Sequence, residues 1–280
     1  MNVGFGKNKI FLIVVFGSFF LCFFPIYPEL FSTWLNSSDD SHGILVPVIT
    51  VYLIWQRRES LAKASTGSWG WGGIILLASL ALHVAGYAGS VSVVSRLMIV
   101  TGLIGLVLFN FGKRFFALIA FPLCYLIFIV PVPVSIYSLL AFPLQLFASQ
   151  ISAFLIAGSG IPVLREGNML YFAQTQLEVA EACSGLRSMT SFIMLSCLFG
   201  YMMKAGWGRR ITIFLSAIPL ALLANIVRVT GTGILAHFIG GKAAQGFLHE
   251  FSGMVVFAFG FLLLLGEYWL LEHTGAKTAE

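Results

Sequence analysis

The chain consists of long apolar runs separated by short polar connections. A helix that crosses the hydrocarbon core of a bilayer needs roughly 20 mostly apolar residues, and helices satisfy their own backbone polar groups in lipid. The runs therefore predict an all-α integral membrane protein. Nine apolar segments can be read, at about 10–28, 43–56, 70–88, 93–111, 115–131, 136–157, 187–203, 211–228 and 252–271.

The composition excludes a soluble globular domain. Of the 280 residues, 59% are hydrophobic and only 10% are charged, whereas soluble domains carry about a quarter charged residues. No connection is long enough for a separate soluble domain, so we expect a single membrane-embedded domain over residues 1–280. Cationic cytoplasmic loops account for the net charge of +5 without a nucleic-acid partner. The four cysteines form no CxxC pair and no regular spacing, so we expect no metal, no disulfide framework and no cofactor.

The Lys and Arg residues orient the first half of the chain, because cytoplasmic loops are enriched in them. With a cytoplasmic N-terminus, the first five crossings leave only Arg96 outside. The basic residues then inside are Lys7, Lys9, Arg57, Arg58, Lys63, Lys113 and Arg114. In the second half four basic residues fall on each side in either orientation, so the charges decide nothing there.

Segment 136–157 determines the number of crossings. Pro143 interrupts it, and four polar residues fall on one helical face: Ser138, Gln145, Ser149 and Ser152. This amphipathic stripe favours a helix that lies along the outer interface, which gives eight crossings with both termini cytoplasmic. The alternative is a ninth crossing whose polar face packs inside the bundle.

Three residues that cooperate in acyl transfer lie at one end of the last three helices. Cys183 precedes the segment that begins at 187, Arg228 ends the next segment, and His249 precedes the last one. Consecutive crossings fix their relative side, so the three share one membrane face in either topology. A helix N-terminus favours the thiolate of Cys183, Arg228 can hold an oxyanion, and His249 can act as base and then as acid. Three further residues are candidates to orient these groups, and the sequence does not choose among them: Glu181, Asn225 and Glu250.

The residues around these positions resemble the signature blocks of the exosortase and archaeosortase family. The matching stretches are "EACSGLRS" around Cys183, "NIVRV" around Arg228, "HEFSG" from His249 and, near the amino terminus, "SHGILVP" from Ser41. The resemblance covers nearly the whole chain, with the blocks in the same order. It implies a cysteine transpeptidase in the inner membrane of Gram-negative bacteria that make exopolysaccharide, with its active site on the periplasmic face.

The resemblance also implies the substrates and the residue roles. The partners would be exported proteins whose carboxy-terminal sorting signal combines a Pro-Glu-Pro motif, a hydrophobic helix and a basic tail. Cys183 would be the nucleophile, Arg228 the transition-state stabiliser and His249 the acid and base. Asn225, Ser184 and His42 also match the blocks, without an assigned role.

The region from Gly158 to Ala182 has alternating polarity and a turn signal at Gly167 and Asn168, which favour a small extracytoplasmic hairpin. Its edges could hold an extended peptide. The alternative is an irregular loop that caps the bundle. Arg165 and Arg187 are candidates to meet the glutamate of the sorting motif, or they are simply solvated.

Two other functional classes remain open from the sequence. A polytopic transporter would also place charged residues at helix ends, but it more often buries them near the bilayer midplane between paired half-helices. An enzyme of lipid-linked glycan assembly would fit the outer face. The acidic or metal-binding clusters usual in such enzymes are missing from the loops, where Asp39 and Asp40 are the only adjacent acidic pair.

Overall fold

A computed structural model describes residues 5–37, 40–179, 186–240 and 247–276. The helices are α1 (Phe5–Cys22), α2 (Tyr27–Asn36), α3 (Leu45–Gln56), α4 (Arg58–Lys63), α5 (Gly70–Ala88), α6 (Ser92–Tyr125), α7 (Val134–Gly158), α8 (Leu186–Met202), α9 (Trp207–Ile239) and α10 (Phe247–Ala276). A small antiparallel sheet consists of β1 (Leu164–Glu166), β2 (Met169–Tyr171) and β3 (Gln176–Glu178), in the order β1-β2-β3. The predicted all-α membrane class is confirmed.

Fewer helices have the length and apolarity of a membrane span than the eight predicted. Five qualify, or six if a pair of helices bent by 46° near Phe23 counts as one span. The five are Gly70–Ala88, Ser92–Ile129, Ala141–Gly158, Trp207–Ile239 and Gly253–Thr274. The difference arises because segments 43–56 and 187–203 form shorter helices, while segments 93–111 and 115–131 are the two parts of α6 on either side of a break and count together as one span. Eight crossings are thus not confirmed.

The long helix α6 is broken at Gly112. This residue has φ 79° and ψ 179°, a backbone conformation that only glycine adopts readily. The break separates the two segments that the sequence predicts, and a hydrophobic cluster joins Val107 before it to Ile119 and Leu123 after it.

The chain divides into two compact units, residues 1–132 and 133–280; the single domain expected over the whole chain stays a prediction. Within the first unit, the Trp34 indole donates to the Ile129 carbonyl at 3.0 Å. Arg96, the basic residue assigned to the outside, is buried and forms an ion pair with Glu29 at 2.9 Å. These contacts hold α2, α6 and the end of the first unit together.

In the second unit α8, α9 and α10 pack in a regular register. Antiparallel α9 and α10 are joined by a hydrogen bond from Arg209 to the Thr274 carbonyl (3.4 Å) and by one from Ser216 to Glu267 (2.6 Å). Parallel α8 and α10 are joined by three contacts: the Lys204 backbone N–H with the Glu272 carboxylate (3.2 Å), the rings of Phe199 and Tyr268 (5.2 Å), and those of Phe192 and Phe257 (5.4 Å). One end of this bundle carries the start of α8, the end of α9 and the start of α10.

The polar stripe of α7 does not face an interface. Gln145, Ser149 and Ser152 are 4%, 0% and 0% exposed. The hydroxyl of Ser149 donates to the Gly167 carbonyl at 3.0 Å, and that of Ser152 donates to the Ile226 carbonyl at 3.4 Å. The reason given for an interfacial helix is therefore wrong, because protein carbonyls satisfy the polar face. Since Ala141–Gly158 also has the length and apolarity of a span, the structure supports the alternative of a further membrane helix.

We expect Gly260→Ala to destabilise the α8–α10 contact. A Cβ at Gly260 would stand 2.5 Å from the ring of Phe192, which is fully buried and has no room to move. Overpacking of this kind costs about 1–3 kcal/mol of the free energy of unfolding, and thermal unfolding in detergent should show a lower Tm.

Gly266→Ala on the same helix is the matched control. Nothing lies within 4 Å of a Cβ there, so the change should be neutral or raise stability by up to about 1 kcal/mol through helix propensity. Equal Tm values for the two variants would contradict the packing described for α8 and α10.

Candidate active site

Arg228 lies on α9, eleven residues before the helix ends at Ile239. It follows Arg209, near the other end of α9, by nineteen residues, a rise of about 28 Å, which is close to the thickness of a hydrocarbon core. The predicted segment ended at Arg228, and this boundary is wrong. The helix continues through apolar residues to Ile239 and ends at Gly240, whose φ of 75° suits a helix C-terminus.

The guanidinium of Arg228 lies against α10. Its Nη1 is 3.6 Å from the point where a Cβ would stand on Gly253. The glycine therefore leaves space for the guanidinium beside the helix backbone. Together with the bonds that Arg209 and Ser216 make to α10, this contact continues the antiparallel register to the far end of the bundle.

His249 and Glu250 belong to the first turn of α10, which begins at Phe247. Positions 249 and 250 precede Gly253 by four and three residues, so all three share one face of the helix. Position 249 is thus one helical turn from the glycine that the Arg228 guanidinium contacts. Of the three residue types assigned to acyl transfer, Arg228 and His249 are brought to the same end of the bundle.

Asn225 shares the protein-facing side of α9 with Arg228. It precedes Arg228 by three residues and is 3% exposed, while the intervening Val227 is exposed. An amide and a guanidinium thus lie together on the inner side of a helix otherwise dominated by apolar residues. Polar residues buried in membrane helices are costly and often mark functional sites.

Several of the predicted site residues cannot be placed. Glu181, Cys183 and Ser184 lie outside the described residues, and α8 begins at Leu186. Arg187 is the second residue of α8. His42 belongs to a short helical turn, Ser41–Ile44, in the first unit.

The predicted hairpin between Gly158 and Ala182 is confirmed. Strands β1 and β2 pair with Leu164 opposite Tyr171, and the turn contains Gly167 with φ 62°. The third strand, β3, was missed, although its signal is visible in the alternation of "QLEV", where Leu177 and Val179 are buried and Gln176 and Glu178 are exposed.

The sheet packs at the end of the bundle that holds Arg228. Its buried residues Leu170, Phe172 and Val179 form one cluster with Ile156 of α7 and with Val229, the residue after Arg228. An open groove of about 690 Å³ lies between β1, β2 and the end of α7. Its lining is mainly apolar and includes Ala157, residues 160–164 and residues 171–173.

Arg165 lies on β1, an edge strand whose three residues are all exposed. Its Nη1 donates to the Gly167 carbonyl at 2.8 Å. The guanidinium therefore stays next to the hairpin turn while the rest of the side chain remains open to solvent.

Comparison with known proteins gives one match. The model of a family described as transmembrane exosortase matches residues 34–266. This range contains Cys183, Arg228 and His249 and, of the five helices that qualify singly as spans, all but part of the last. No curated protein and no solved structure matches the chain.

Proposed function

Because the chain belongs to the transmembrane exosortase family, we propose that it is a cysteine transpeptidase that cuts the sorting signal from exported proteins through a thioester on Cys183. The sorting signal would be of the Pro-Glu-Pro carboxy-terminal type. One observation carries the proposal: the Arg228 guanidinium lies 3.6 Å from the Cβ position of Gly253, one turn from His249. A cation thus lies one helical turn from the position of a candidate acid–base residue.

The register of α8 and α10 supports the inclusion of Cys183. The partners in their three contacts are 68, 69 and 65 positions apart along the chain. These contacts put the start of α8 at the same end of the bundle as the start of α10. Leu186, the first residue of α8, is only three positions after Cys183 in the sequence, and three residues span at most about 10 Å.

The proposed reaction has two steps. The thiolate of Cys183, favoured by the N-terminus of α8, attacks the carbonyl at the cut site, and protonated His249 gives its proton to the departing amine. This leaves a thioester on Cys183. Neutral His249 then takes a proton from the acceptor amine or water, which attacks the thioester and releases the thiolate.

Arg228 would stabilise the negative oxygen that develops in both tetrahedral intermediates. Its guanidinium keeps its charge and offers several N–H donors in a fixed plane. Asn225 would add a second polar group beside Arg228 on the same side of α9. Glu250 or Glu181 would orient His249. Ser184 and His42 are supporting residues by their match to the family blocks.

The sheet and its groove offer a binding place for the sorting motif. An extended peptide can add to the exposed edge of β1 through backbone hydrogen bonds. The apolar groove beside this edge would take the prolines, and Arg165, aided by Arg187, would meet the glutamate. The hydrophobic helix of the signal would remain in lipid.

We place the active site on the periplasmic face of the inner membrane, because the substrates are exported proteins. The multi-pass membrane character rests on the helices described above. The membrane face of the active site does not follow from the basic residues, because in the second half of the chain equal numbers of them fall on the two sides.

We expect Cys183→Ala to abolish cleavage of a tagged protein that carries a Pro-Glu-Pro sorting signal and is co-expressed with the enzyme. The uncut form should accumulate in the membrane, whereas Cys183→Ser should keep at most a trace of acylation. Hydroxylamine added to the wild-type reaction should release the product as a hydroxamate, visible by mass analysis of its new carboxy terminus. Cys197→Ala, on α8, should cleave normally, and full cleavage by Cys183→Ala would refute the nucleophile.

Arg228→Ala should lower the cleavage rate by about 10² to 10³, the usual effect of losing one oxyanion donor. Arg228→Lys should restore part of the rate, since it keeps the charge but not the planar fork. Rates are compared at equal amounts of folded enzyme in the membrane.

Gly253 provides the geometric control for this prediction. Gly253→Ala places a methyl group at ordinary contact distance from Nη1, so the rate should change little. Gly253→Leu should displace the guanidinium and lower the rate nearly as much as Arg228→Ala. Wild-type rates in both Arg228→Ala and Gly253→Leu would exclude a catalytic role for the guanidinium.

An impermeant maleimide should label Cys183 in spheroplasts if the active site faces the periplasm. The test uses a variant without the other three cysteines, Cys22→Ala/Cys124→Ala/Cys197→Ala, and adding Cys183→Ala should remove the label. Labelling that appears only after permeabilisation would put the active site on the cytoplasmic face.

A further inference from the structure

A second cavity lies in the first unit, where the loop before α5 meets the break in α6. It has a volume of about 420 Å³ and is lined by residues 65–69 and 111–114; we call it the Gly112 pocket. About half of its lining is polar, and it plays no part in the proposed acyl-transfer chemistry.

Hydrogen-bond donors and positively charged side chains line the Gly112 pocket. Lys113 holds its ammonium 4.3 Å from the centroid of the Trp69 ring, and Arg114 donates to the Ser65 hydroxyl at 3.3 Å. The hydroxyls of Thr66 and Ser68 belong to the same lining. A guanidinium, an ammonium and several hydroxyls around one cavity match the oxygen atoms of a phosphate group.

Backbone groups add to this preference for an anion. Helix α5 begins at Gly70, directly after the loop, and its N-cap residue Trp69 supplies no side-chain hydrogen bond. The first N–H groups of a helix and the positive end of its dipole favour a bound anion. The N-cap residue Trp69 belongs to the pocket lining, so this helix begins at the edge of the cavity.

The shape of the pocket depends on two glycines. Gly67 donates its N–H to the Phe111 carbonyl at 3.2 Å, which holds the loop against the end of the first part of α6. Gly112 turns the chain with φ 79°, and any Cβ there would collide with the Gly67 carbonyl. Both residues thus keep the loop and the break close enough to form one cavity.

The surroundings resemble a lipid–water interface. Residues 57–69 and 112–114 contain five basic residues and one acidic residue, Glu59. Trp55, Trp69 and Trp71 lie at the same end, as tryptophans of membrane proteins do at headgroup level. From Trp71 a row of exposed apolar side chains continues along α5 through Ile74 and Leu77, where an acyl chain would lie.

We propose that the Gly112 pocket binds a phosphate group, supplied by the headgroup of an anionic phospholipid. The same donors would also bind free inorganic phosphate, and the apolar row on α5 favours the lipid. The proposal is independent of peptide cleavage, because its readout is binding.

The test compares two double variants with the same loss of charge at the same end of the unit. Lys113→Gln/Arg114→Gln removes the cations that line the pocket, and Arg57→Gln/Arg58→Gln removes two that do not. Purified full-length protein in detergent receives dioleoylphosphatidylglycerol, dioleoylphosphatidylcholine or inorganic phosphate at matched ionic strength. Native mass spectrometry counts retained lipid, and thermal unfolding gives the shift in Tm.

The wild type should retain phosphatidylglycerol in preference to phosphatidylcholine, with a higher Tm. Lys113→Gln/Arg114→Gln should bind it about 10- to 30-fold more weakly, from the loss of two cations near the surface, while Arg57→Gln/Arg58→Gln keeps wild-type binding. Stabilisation by inorganic phosphate alone, with the same dependence on Lys113 and Arg114, supports the phosphate site with a soluble source. Equal losses in both double variants, or no preference for either phosphate ligand in the wild type, would overturn the proposal.

Discussion

The register of α8, α9 and α10 is the constraint on which the candidate site depends. At one end of the bundle, hydrogen bonds from Arg209 and Lys204 reach the last turns of α10, and at the other the Arg228 guanidinium rests beside Gly253. Helices are rigid over this distance, so contacts at the far end fix the height of side chains near the site. Close packing between Gly260 and Phe192 keeps α8 and α10 from sliding against each other.

Arg96 and Arg228 have different surroundings, although both lie on long apolar helices. Arg96 is buried and its charge is balanced by the Glu29 carboxylate at 2.9 Å, as expected for a structural ion pair. Arg228 is placed about one membrane thickness from Arg209 and beside a glycine. The second arrangement places a guanidinium against the backbone of a neighbouring helix.

Part of this arrangement could be predicted from the sequence. That Arg228 and His249 share one end of the bundle follows from the order of apolar segments, because consecutive antiparallel helices return to the same side. The hairpin was predictable because Gly167 and Asn168 form a strong local turn signal.

Features that depend on tertiary contacts were not predictable. The polar face of α7 has the same pattern whether water or protein carbonyls satisfy it, so the burial of Ser149 and Ser152 could not be read from spacing. The continuation of α9 beyond Arg228 was missed because a charged residue looks like the end of an apolar segment. The break at Gly112 is a matter of backbone conformation, and most glycines in apolar runs do not break their helices.

The light packing of α10 has a consequence for how a partner would reach the site. Only 11% of the apolar spanning stretch of this helix is buried, the smallest share among the five spans, so most of its surface is not covered by the described part of the chain. A protein anchored by its own hydrophobic helix could approach this surface by diffusion in the plane of the bilayer. The encounter would then be a two-dimensional search, in which the anchor never has to leave the lipid before its neighbouring polar segment reaches the end of the bundle.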